Sequence, residues 1–366
     1  MRILLLGADG RAHATTWKLL SDSRVHEVIC APGNGGTAPI APHVDLDPAD
    51  VAGIARWCFD EQIDLIVPTE STALRAGLVE EALSLQIGVC GPSQRSMVLE
   101  QSRCQAKEFM LRHHLPTAPG RAFNDLATAE RYLASQALPV MIKADHPSGG
   151  EQIHTDRYAA LEGLRTLFAE RPLDSTGGVV IETLLSGPRV VMSAFTDGRS
   201  AVALLPTRLY NHTQEGDLGP RATAVGAHTG TSQFAQQLAS YMQRTFLEPV
   251  VAGLARDGIP YWGVLGIDTI ITAQGPRLTA IRHGLRPGEA EVVLTRLEDD
   301  LLPWLQAMIT QRLHELPAPR WEPVASVGIG LFARGFPVSY PYGGLISGLD
   351  TLDEGVLAIH HSTANP

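Results

Sequence analysis

A lysine at the end of a short apolar run is the first residue whose position suggests chemistry. Residues 140–142 predict a buried strand, Lys143 ends it, and a polar loop with two glycines follows at 146–150. An ammonium group supplies a point charge to phosphate oxygens, and glycines let backbone N–H groups approach them. The stretch 139–154 therefore fits a grip on nucleotide phosphates, although a solvated strand-end lysine explains the same residues equally well.

Glycine and polar residues at strand ends form a second group of candidates. They stand where the first three predicted strands end: Gly7, Gly10, Arg11, Asn34 and Glu70. Because the carboxyl ends of parallel strands meet at one edge of a sheet, these residues are expected to share a ligand site, with a phosphoribosyl-like ligand preferred. Turn geometry alone accounts for the glycines but not for Arg11. The full dinucleotide fingerprint is missing, which argues against a nicotinamide-linked oxidoreductase.

The elements that position these residues alternate between strand and helix. Strands are predicted at residues 2–7, 28–31, 63–68 and 87–90, and helices at 15–20, 50–60 and 74–85. This order predicts a parallel, doubly wound sheet. One helix is expected over 96–114, and the proline-containing segment 115–119 marks the first domain boundary.

The rest of the chain mixes helices with antiparallel strands. Helices are predicted at 126–135, 159–169, 234–258 and 289–312. Strands are predicted at 179–182, 190–195, 201–205, 261–272, 277–281 and 326–332, whereas 207–228 is expected to be a loop. The predicted domains cover residues 1–118, 119–318 and 319–366.

Composition and charge exclude several classes of protein. The chain has 366 residues, 44% of them hydrophobic, which is typical of a globular protein with more than one domain. A net charge of −10 argues against a nucleic-acid binder but not against a local anion site. The four cysteines lack Cys-x-x-Cys spacing and are expected to be buried reduced thiols. With no bilayer-length apolar run and no signal-peptide pattern, a cytoplasmic location without a membrane partner is expected.

Six stretches together resemble one enzyme family. They read L-L-G-A-D-G-R-A-H-A, A-P-G-N-G-G-T, L-E-Q-S-R-C-Q-A-K-E-F, H-L-P-T-A, V-M-I-K-A-D and, late in the chain, G-F-P. In order and spacing, the chain is similar from Met1 to about Gly348 to phosphoribosylamine–glycine ligase, an ATP-grasp enzyme of purine synthesis. The resemblance implies an N-terminal α/β domain, an α+β ATP-grasp body that clamps ATP, and a C-terminal domain that is truncated here.

The family reaction indicates what the matched residues would do. A carboxylate is activated by ATP as an acyl phosphate, and an amine then displaces phosphate to give an amide. The resemblance implies ATP and Mg²⁺, a small-molecule substrate of phosphoribosyl or amino-acid-like type, and an unspecified oligomeric state. It assigns to ATP Arg103, Lys143, Glu182, Thr183 and Leu184. It adds Asp217 to the five substrate candidates and gives catalytic roles to Arg221, Arg282 and Arg286.

The family's metal ligands are replaced in this chain. The family motif E-F-N-C-R-F-G-D-P-E reads A-I-R-H-G-L-R-P-G-E here, so Ala280 and Arg282 stand where the glutamate and asparagine would bind Mg²⁺. An arginine at that position either takes the metal's place electrostatically or abolishes the metal. No residue of the sequence is assigned to a metal.

Three further loops carry charges that differ from those of the family motifs. The flap A-D-G-L-A-A-G-K-G-V reads A-D-H-P-S-G-G-E-Q-I, which replaces a lysine-containing loop by one with Glu151. The segment G-E-E-A-S reads G-P-R-V-V and gains Arg189, and G-P-N-T-G-G-M-G reads G-P-R-A-T-A-V-G and gains Arg221.

Plainer interpretations of the site residues remain open. Arg282 and Arg286 either bind a phosphate or carboxylate as a bidentate fork or pair with nearby acids, for which the candidates are Glu289, Glu291 and Asp299. Glu182 is equally well explained as a paired surface carboxylate. His283 is interpreted as a polar loop residue rather than a general base.

Two functions are therefore compatible with the sequence. The first is a divergent ligase that joins a carboxylate to an amine, in specialised metabolism rather than housekeeping purine synthesis. The second is a ligase-inactive descendant: a pseudoenzyme, a binding protein, or an enzyme of other chemistry on a phosphoribosyl-type substrate. Binding of Mg-ATP favours the first, whereas binding of a sugar phosphate without Mg-ATP favours the second.

Overall fold

Three β-sheets organise the computed structural model, which describes residues 1–170, 177–259 and 261–364. The N-terminal sheet is parallel, with strand order β2-β1-β3-β4, so the predicted doubly wound sheet is confirmed. Its strands are β1 (Arg2–Gly7), β2 (Glu27–Pro32), β3 (Leu65–Pro68) and β4 (Gly88–Val89). The helices around it are α1 (Gly10–Leu20), α2 (Val51–Asp60), α3 (Thr72–Arg75) and α4 (Leu78–Ser84).

The apolar run of β1 is explained by burial on both faces of this sheet. Ile3 and Leu5 pack into one hydrophobic cluster, and Leu4 packs into the cluster on the opposite face. A strand covered on both sides needs apolar residues at every position rather than at alternate ones. This burial fixes β1, and with it the loop after Gly7, at the centre of the domain.

Caps and glycines move the predicted helix boundaries in this domain. Helix α1 begins at Gly10, five residues earlier than predicted, because the carboxylate of Asp9 accepts the N–H groups of Arg11 and Ala12. The helix predicted over 74–85 is two short helices that meet at Gly77, whose φ of 98° breaks the helical path.

A break in the chain also divides the helix predicted over 96–114. The two parts are α5 (Val98–Gln101) and α6 (Arg103–Arg112). Ser102 between them is extended, and its hydroxyl accepts the N–H of Gln105. The new start of α6 directs Arg103 and Lys107 toward the next sheet.

The small sheet is antiparallel, with strand order β5-β8-β6-β7. Its strands are β5 (Gly120–Phe123), β6 (Val140–Ala144), β7 (Glu151–His154) and β8 (Val179–Thr183). Two helices, α7 (Leu126–Ser135) and α8 (Arg157–Ala169), cover one face through a cluster that includes Leu133, Ile142 and Leu164. The predicted strand that carries Lys143 is therefore confirmed.

The large sheet has seven strands in the order β14-β13-β9-β11-β12-β15, with β10 also paired to β9. These strands are β9 (Arg189–Asp197), β10 (Ala201–Ala203), β11 (Thr207–Gln214), β12 (Leu218–Thr229), β13 (Trp262–Thr272), β14 (Gly275–His283) and β15 (Ser326–Ile329). The helices are α9 (Gln233–Met242), α10 (Glu248–Arg256), α11 (Glu289–Leu294) and α12 (Leu302–Thr310). Both predicted antiparallel pairs, β9 with β10 and β13 with β14, are confirmed.

The prediction of a loop over 207–228 is wrong, because this segment is the hairpin β11–β12. Its sequence lacks a clear apolar alternation since much of the hairpin is only partly buried. Pairing with β9 on one side and β15 on the other supplies backbone hydrogen bonds that no local pattern announces.

The two long helices predicted in the body are also interrupted. A π-helical turn, Gln243–Leu247, separates α9 from α10, which carries Pro249 in its first turn. The helix predicted over 289–312 is α11 and α12, with Pro303 at the start of the second. The predicted strand at 326–332 is shorter and joins the large sheet through β12. The domain boundaries near 118 and 318 stay predictions.

Candidate functional site

A buried carboxylate between two lysines lies on the central strands of the small sheet. Lys107 Nζ lies 2.9 Å from Glu182 Oε2, and Lys143 pairs with the other oxygen. Burial opposes ionisation of Glu182, but Lys143 and Lys107 hold its pKa below the usual range. Two ammonium groups against one carboxylate leave a positive charge that suits a phosphate. Sequence reasoning found Lys143 and Glu182 but missed Lys107, although it lies within the matched stretch L-E-Q-S-R-C-Q-A-K-E-F.

Arg103 organises the loop that follows Lys143. Its guanidinium donates to the carbonyls of Ala144 at 3.1 Å, Gly150 at 2.6 Å and Pro147 at 3.3 Å. These bonds fix the loop over the end of β6, and burial lowers the pKa of Arg103. The assignment of Arg103 to ATP stays a prediction.

Two residues assigned to ATP, Thr183 and Leu184, lie at the end of β8 and directly after it. The N–H of Thr183 donates to Pro119 O at 2.8 Å, whereas Leu184 N lies 3.4 Å from Pro139 O. The second bond is long for N–H···O, so a bound base would compete for the Leu184 N–H more readily than for that of Thr183.

Three arginines converge on one buried aspartate in the large sheet. Asp268 Oδ2 accepts from Arg189 Nη2 at 2.5 Å and from Arg286 Nη2 at 2.6 Å, and Oδ1 accepts from Arg282 Nε at 2.8 Å. The side chain of Asp268 is 2% exposed. Although burial opposes its ionisation, Arg286, Arg189 and Arg282 hold the pKa of Asp268 well below its usual range. Sequence reasoning missed Asp268, because a lone acid inside an apolar strand gives no signal of its partners.

Glu289 completes this arginine cluster. Its Oε2 accepts from Arg282 Nη2 at 2.7 Å and from the backbone N–H of Arg286 at 2.7 Å, while Oε1 accepts from Ser193 Oγ at 2.8 Å. Arg282 is thus ion-paired, as one interpretation of the sequence had it. Asp299, another suggested partner, binds Arg320 at 2.7 Å instead.

An open cleft of about 170 Å³ lies beside the cluster, and three arginines line it. They are Arg189, Arg221 and Arg286, and we call this space the arginine cleft. Arg221 Nη1 lies 3.1 Å from Glu151 Oε1, so the contact bridges β12 of the large sheet and β7 of the small sheet. The structure therefore brings together Arg221, Arg282 and Arg286, the predicted catalytic residues. Asp217 lies at the exposed tip of the β11–β12 hairpin. It is not among the described residues that line the cleft.

His283 is a buried residue rather than the polar loop residue that the sequence suggested. It ends β14, its ring lies 3.2 Å from Tyr261 Oη and 3.3 Å from Pro68 O, and burial lowers its pKa. Its neighbours in the sequence are hydrophilic or glycine, which is why the pattern indicated a loop. The contacts make it a link between the large sheet and the end of β3.

The substrate candidates of the N-terminal domain gather at the carboxyl ends of β1, β2 and β3, as expected. Arg11 pairs with Asp9 at 2.6 Å, which accounts for a residue that turn geometry left unexplained. The amide of Asn34 donates to Ala8 O at 3.0 Å. A Cβ on Gly7 would collide with the side chain of Thr69, so close packing requires this glycine.

A later segment of the chain crosses these loops, which sequence reasoning missed. His361 Nδ1 accepts the N–H of Gly10 at 3.2 Å, and Thr363 O accepts that of Gly35 at 2.8 Å. His360 donates its N–H to His13 Nδ1 at 2.9 Å. Some of the N–H groups that the strand–turn–helix pattern offers to a ligand are therefore bonded within the chain.

A carboxyl group with an unusual pKa lies next to the first turn. Glu291 Oε2 accepts the N–H of Gly288 at 2.7 Å, and its other oxygen lies against Gly10. Loss of hydration raises the pKa of Glu291 to about 7. The sequence gave no sign of this, because the shift arises from packing of α11 on α1.

The arginine cluster does not fit a magnesium ion. Ala280 offers a methyl group and Arg282 offers a cation. The carboxylates of the cluster, Asp268 and Glu289, are both bonded by guanidinium groups. Mg²⁺ prefers hard oxygen ligands and would be repelled by these charges. Across the described residues, we find no group of three or more His, Cys, Asp or Glu side chains arranged to hold a metal. The lysine pair and Arg103, by contrast, fit the anionic tail of a nucleotide.

Comparisons with known proteins identify the family. The model "Phosphoribosylglycinamide synthetase, ATP-grasp (A) domain" matches residues 101–291, and the N-domain model of the same enzyme matches residues 1–100. The phosphoribosylamine–glycine ligase of Mesorhizobium japonicum is 32% identical over 100% of this chain and 86% of its own length. This chain belongs to the phosphoribosylamine–glycine ligase family. The fold and the family expected from the sequence are thereby confirmed.

Other members and structural neighbours of the ligase family agree. The chain is 30% identical to the trifunctional purine biosynthetic protein adenosine-3 of Gallus gallus, of which it spans 37%. The phosphoribosylamine–glycine ligase structure from Thermotoga maritima covers 94% of the chain and is itself covered to 86%, with a TM-score of 0.78 and 23% identity. A biotin carboxylase domain from Hydrogenobacter thermophilus, solved with MgADP, has a TM-score of 0.67 and 14% identity over 89% of this chain and 73% of its own.

The helices of this family member were also considered as membrane segments. Among the described residues, none of the helices combines the length and apolar character needed to cross a bilayer.

Proposed function

We propose that the protein is an ATP-dependent carbon–nitrogen ligase that joins a carboxylate to an amine, as the names of its relatives suggest. The observation that carries the proposal is a pair of cationic centres on two sheets. One is the Lys107–Glu182–Lys143 group of the small sheet, and the other is the arginine cleft of the large sheet. The contact between Glu151 and Arg221 joins the two sheets. A ligase must bring two anions together, and fixed cations lower the cost of doing so.

The residues divide the work of the proposed reaction. ATP supplies the phosphoryl group that turns the carboxylate into an acyl phosphate, from which the attacking amine displaces phosphate to form the amide. Lys143 and Arg103 would hold the nucleotide tail, and Glu182 would keep the lysines charged and in place. Arg286 and Arg221 would hold the anionic oxygens on the other side, with Asp268 and Glu289 fixing the guanidinium groups. No step is assigned to a divalent metal, because the cluster does not fit one.

The N-terminal loops would hold the amine substrate, a small molecule of phosphoribosyl or amino-acid-like type. Arg11 Nη1 lies 3.5 Å from Leu285 O, so the loop after β1 contacts the segment that carries Arg286. Gly10, Asn34 and Glu70 lie at the same edge of the N-terminal sheet. This contact supports an amine site next to the proposed site of acyl transfer.

A ligation assay tests the proposal. ADP release is measured with ATP, glycine and phosphoribosylamine, and with a wider panel of amines and carboxylates, while mass spectrometry detects the amide. We expect ADP release only when both substrates are present. Lys143→Gln should reduce it by about 10²-fold, since one positioned cation is lost, whereas Arg256→Gln on the exposed surface of α10 should not. Absence of ADP release with every pair, together with no affinity for nucleotide, would establish the ligase-inactive descendant instead.

A further inference from the structure

Three guanidinium groups from separate segments line the arginine cleft. Arg189 begins β9, Arg221 lies on β12, and Arg286 precedes α11. Two neutral polar side chains, those of Asn211 and Thr223, share the lining. The cleft has a volume of about 170 Å³, which is smaller than the range of about 300–1,000 Å³ usual for drug-sized ligands, so it suits a small group.

The charges around the cleft do not cancel. The three lining arginines and Arg282 carry four positive charges, and the acids paired with them are Asp268, Glu289 and Glu151. One positive charge therefore remains among these groups. Counted without Glu151, which is on the neighbouring sheet, the remaining charge is two.

The lining arginines keep donors available for a ligand. In the hydrogen bonds of the described residues, Arg189 uses Nη2 alone, Arg221 uses Nη1 alone, and Arg286 uses Nε and Nη2. A guanidinium group has five N–H donors, so most of them remain for the cleft.

Asp268 also holds two of these arginines in place before any ligand binds. Its side chain is 2% exposed and accepts from Arg189 Nη2 at 2.5 Å and from Nη2 and Nε of Arg286 at 2.6 and 3.3 Å. Binding then costs little side-chain entropy, because the donors are already ordered. Arg221, the third lining arginine, comes from another strand and pairs with Glu151. The ion pairs of Asp268 therefore do not explain why Arg221 lies in the cleft.

We propose that the arginine cleft is a phosphate-binding site that works without a divalent cation. A phosphate group has three terminal oxygens and nearly two negative charges, which match three guanidinium forks better than the two oxygens of one carboxylate do. The fixed positive charges do what a bound metal would otherwise do, and Mg²⁺ on the phosphate would be repelled by them. The phosphate belongs either to a nucleotide tail or to a sugar phosphate. This site does not depend on whether the protein ligates anything.

Binding measured with and without metal tests the proposal. Isothermal titration calorimetry is run in EDTA with ATP, ribose 5-phosphate, inorganic phosphate and succinate, and is repeated with ATP and ribose 5-phosphate in excess Mg²⁺. We expect at least one phosphate compound to bind in EDTA, succinate to bind at least tenfold more weakly, and Mg²⁺ to leave affinity unchanged or lower it. The compound that binds best identifies the source of the phosphate.

Matched variants locate the site. Arg221→Gln should weaken phosphate binding at least fivefold without unfolding the protein, since its side chain is 54% exposed and, among the described residues, its ion pair is with Glu151. Arg286→Gln should weaken it at least tenfold. Arg256→Gln removes the same charge from a surface outside the cleft and should have no effect.

Several outcomes would overturn the proposal. They are binding of phosphate compounds only in the presence of Mg²⁺, equal binding of succinate, or equal losses in Arg221→Gln and Arg256→Gln. Phosphate binding in EDTA without ADP release in the ligation assay would reject the proposed ligase and keep this site. ADP release that needs Mg²⁺, with no binding of phosphate compounds in EDTA, would keep the proposed ligase and reject this site.

Discussion

Asp268→Asn is the substitution that separates the structural from the binding role of the arginine cluster. The change keeps the shape of the side chain but removes its charge. Asp268 accepts hydrogen bonds from Arg189, Arg282 and Arg286, and its side chain is 2% exposed. The asparagine would retain one acceptor oxygen and present an amide, itself a donor, to a guanidinium donor.

The expected loss of stability is large. Removing one partner of a buried ion pair typically lowers the free energy of unfolding by about 3–5 kcal/mol, because the remaining charges are left uncompensated. Arg282 keeps Glu289, whereas Arg189 has Asp268 as its ion-pair partner among the described residues. We therefore expect the free energy of unfolding at pH 7 to fall by about 3 kcal/mol, near the lower end of that range.

The same change should tighten phosphate binding. A unit charge about 6 Å from an anion interacts with it by about 3 kcal/mol at an effective dielectric constant of about 20. Solvent in the open cleft screens part of this energy, and weaker ordering of Arg189 and Arg286 offsets another part. A net gain of about tenfold in affinity, or about 1.4 kcal/mol, is therefore expected. The variant would thus be less stable when free and bind phosphate more tightly.

Urea denaturation and calorimetry in EDTA measure the two effects, with Asp60→Asn as the control. Asp60 pairs with Arg56 on α2, and with side chains 59% and 77% exposed this pair should contribute at most about 1 kcal/mol. Because the pKa of Asp268 is depressed in the folded state, its contribution is present above the ordinary pKa of an aspartate and is lost as pH falls through the folded value. The difference between Asp268→Asn and wild type should therefore shrink in acid. A variant as stable as the Asp60→Asn control, or one that binds phosphate more weakly than wild type, would refute the reasoning.

Two further substitutions test buried acids elsewhere. Glu182→Gln should lower the free energy of unfolding by about 3–5 kcal/mol, because two buried ammonium groups lose their carboxylate. The control Glu130→Gln, at an exposed ion pair, should lower it by about 1 kcal/mol or less. Equal losses for the two variants in urea denaturation would contradict this. Glu291 has a pKa raised from 4.5 to about 7, so wild type should lose stability as pH rises across that window, by up to about 3 kcal/mol. Glu291→Gln should lack this loss, and parallel pH profiles of unfolding for the two proteins would count against the shift.

Local patterns in the sequence were enough to predict the elements that have a strong apolar periodicity or that end at a clear polar loop. The parallel sheet follows from alternating apolar runs and helices, and β6 with Lys143 follows from three apolar residues before a polar loop. The family followed from six short stretches in order, since each motif is weak but their spacing is not. Helix breaks at Gly77 and Ser102 were missed, because caps and left-handed turns interrupt a pattern that remains helical in composition.

Pairings between distant segments were decided by the tertiary structure alone. The hairpin β11–β12 is formed by ladders to strands far away in the sequence, so its own residues did not announce it. Asp268 and Arg189 are 79 residues apart, and neither has a local reason to be paired. The sequence by itself determined that Ala280 and Arg282 stand at the family's metal positions. Only the fold decided that Arg189, Arg282 and Arg286 share a buried aspartate, because such ion pairs depend on where strands are brought together. The fold also decided that Arg189 and Arg286 line one cleft with Arg221.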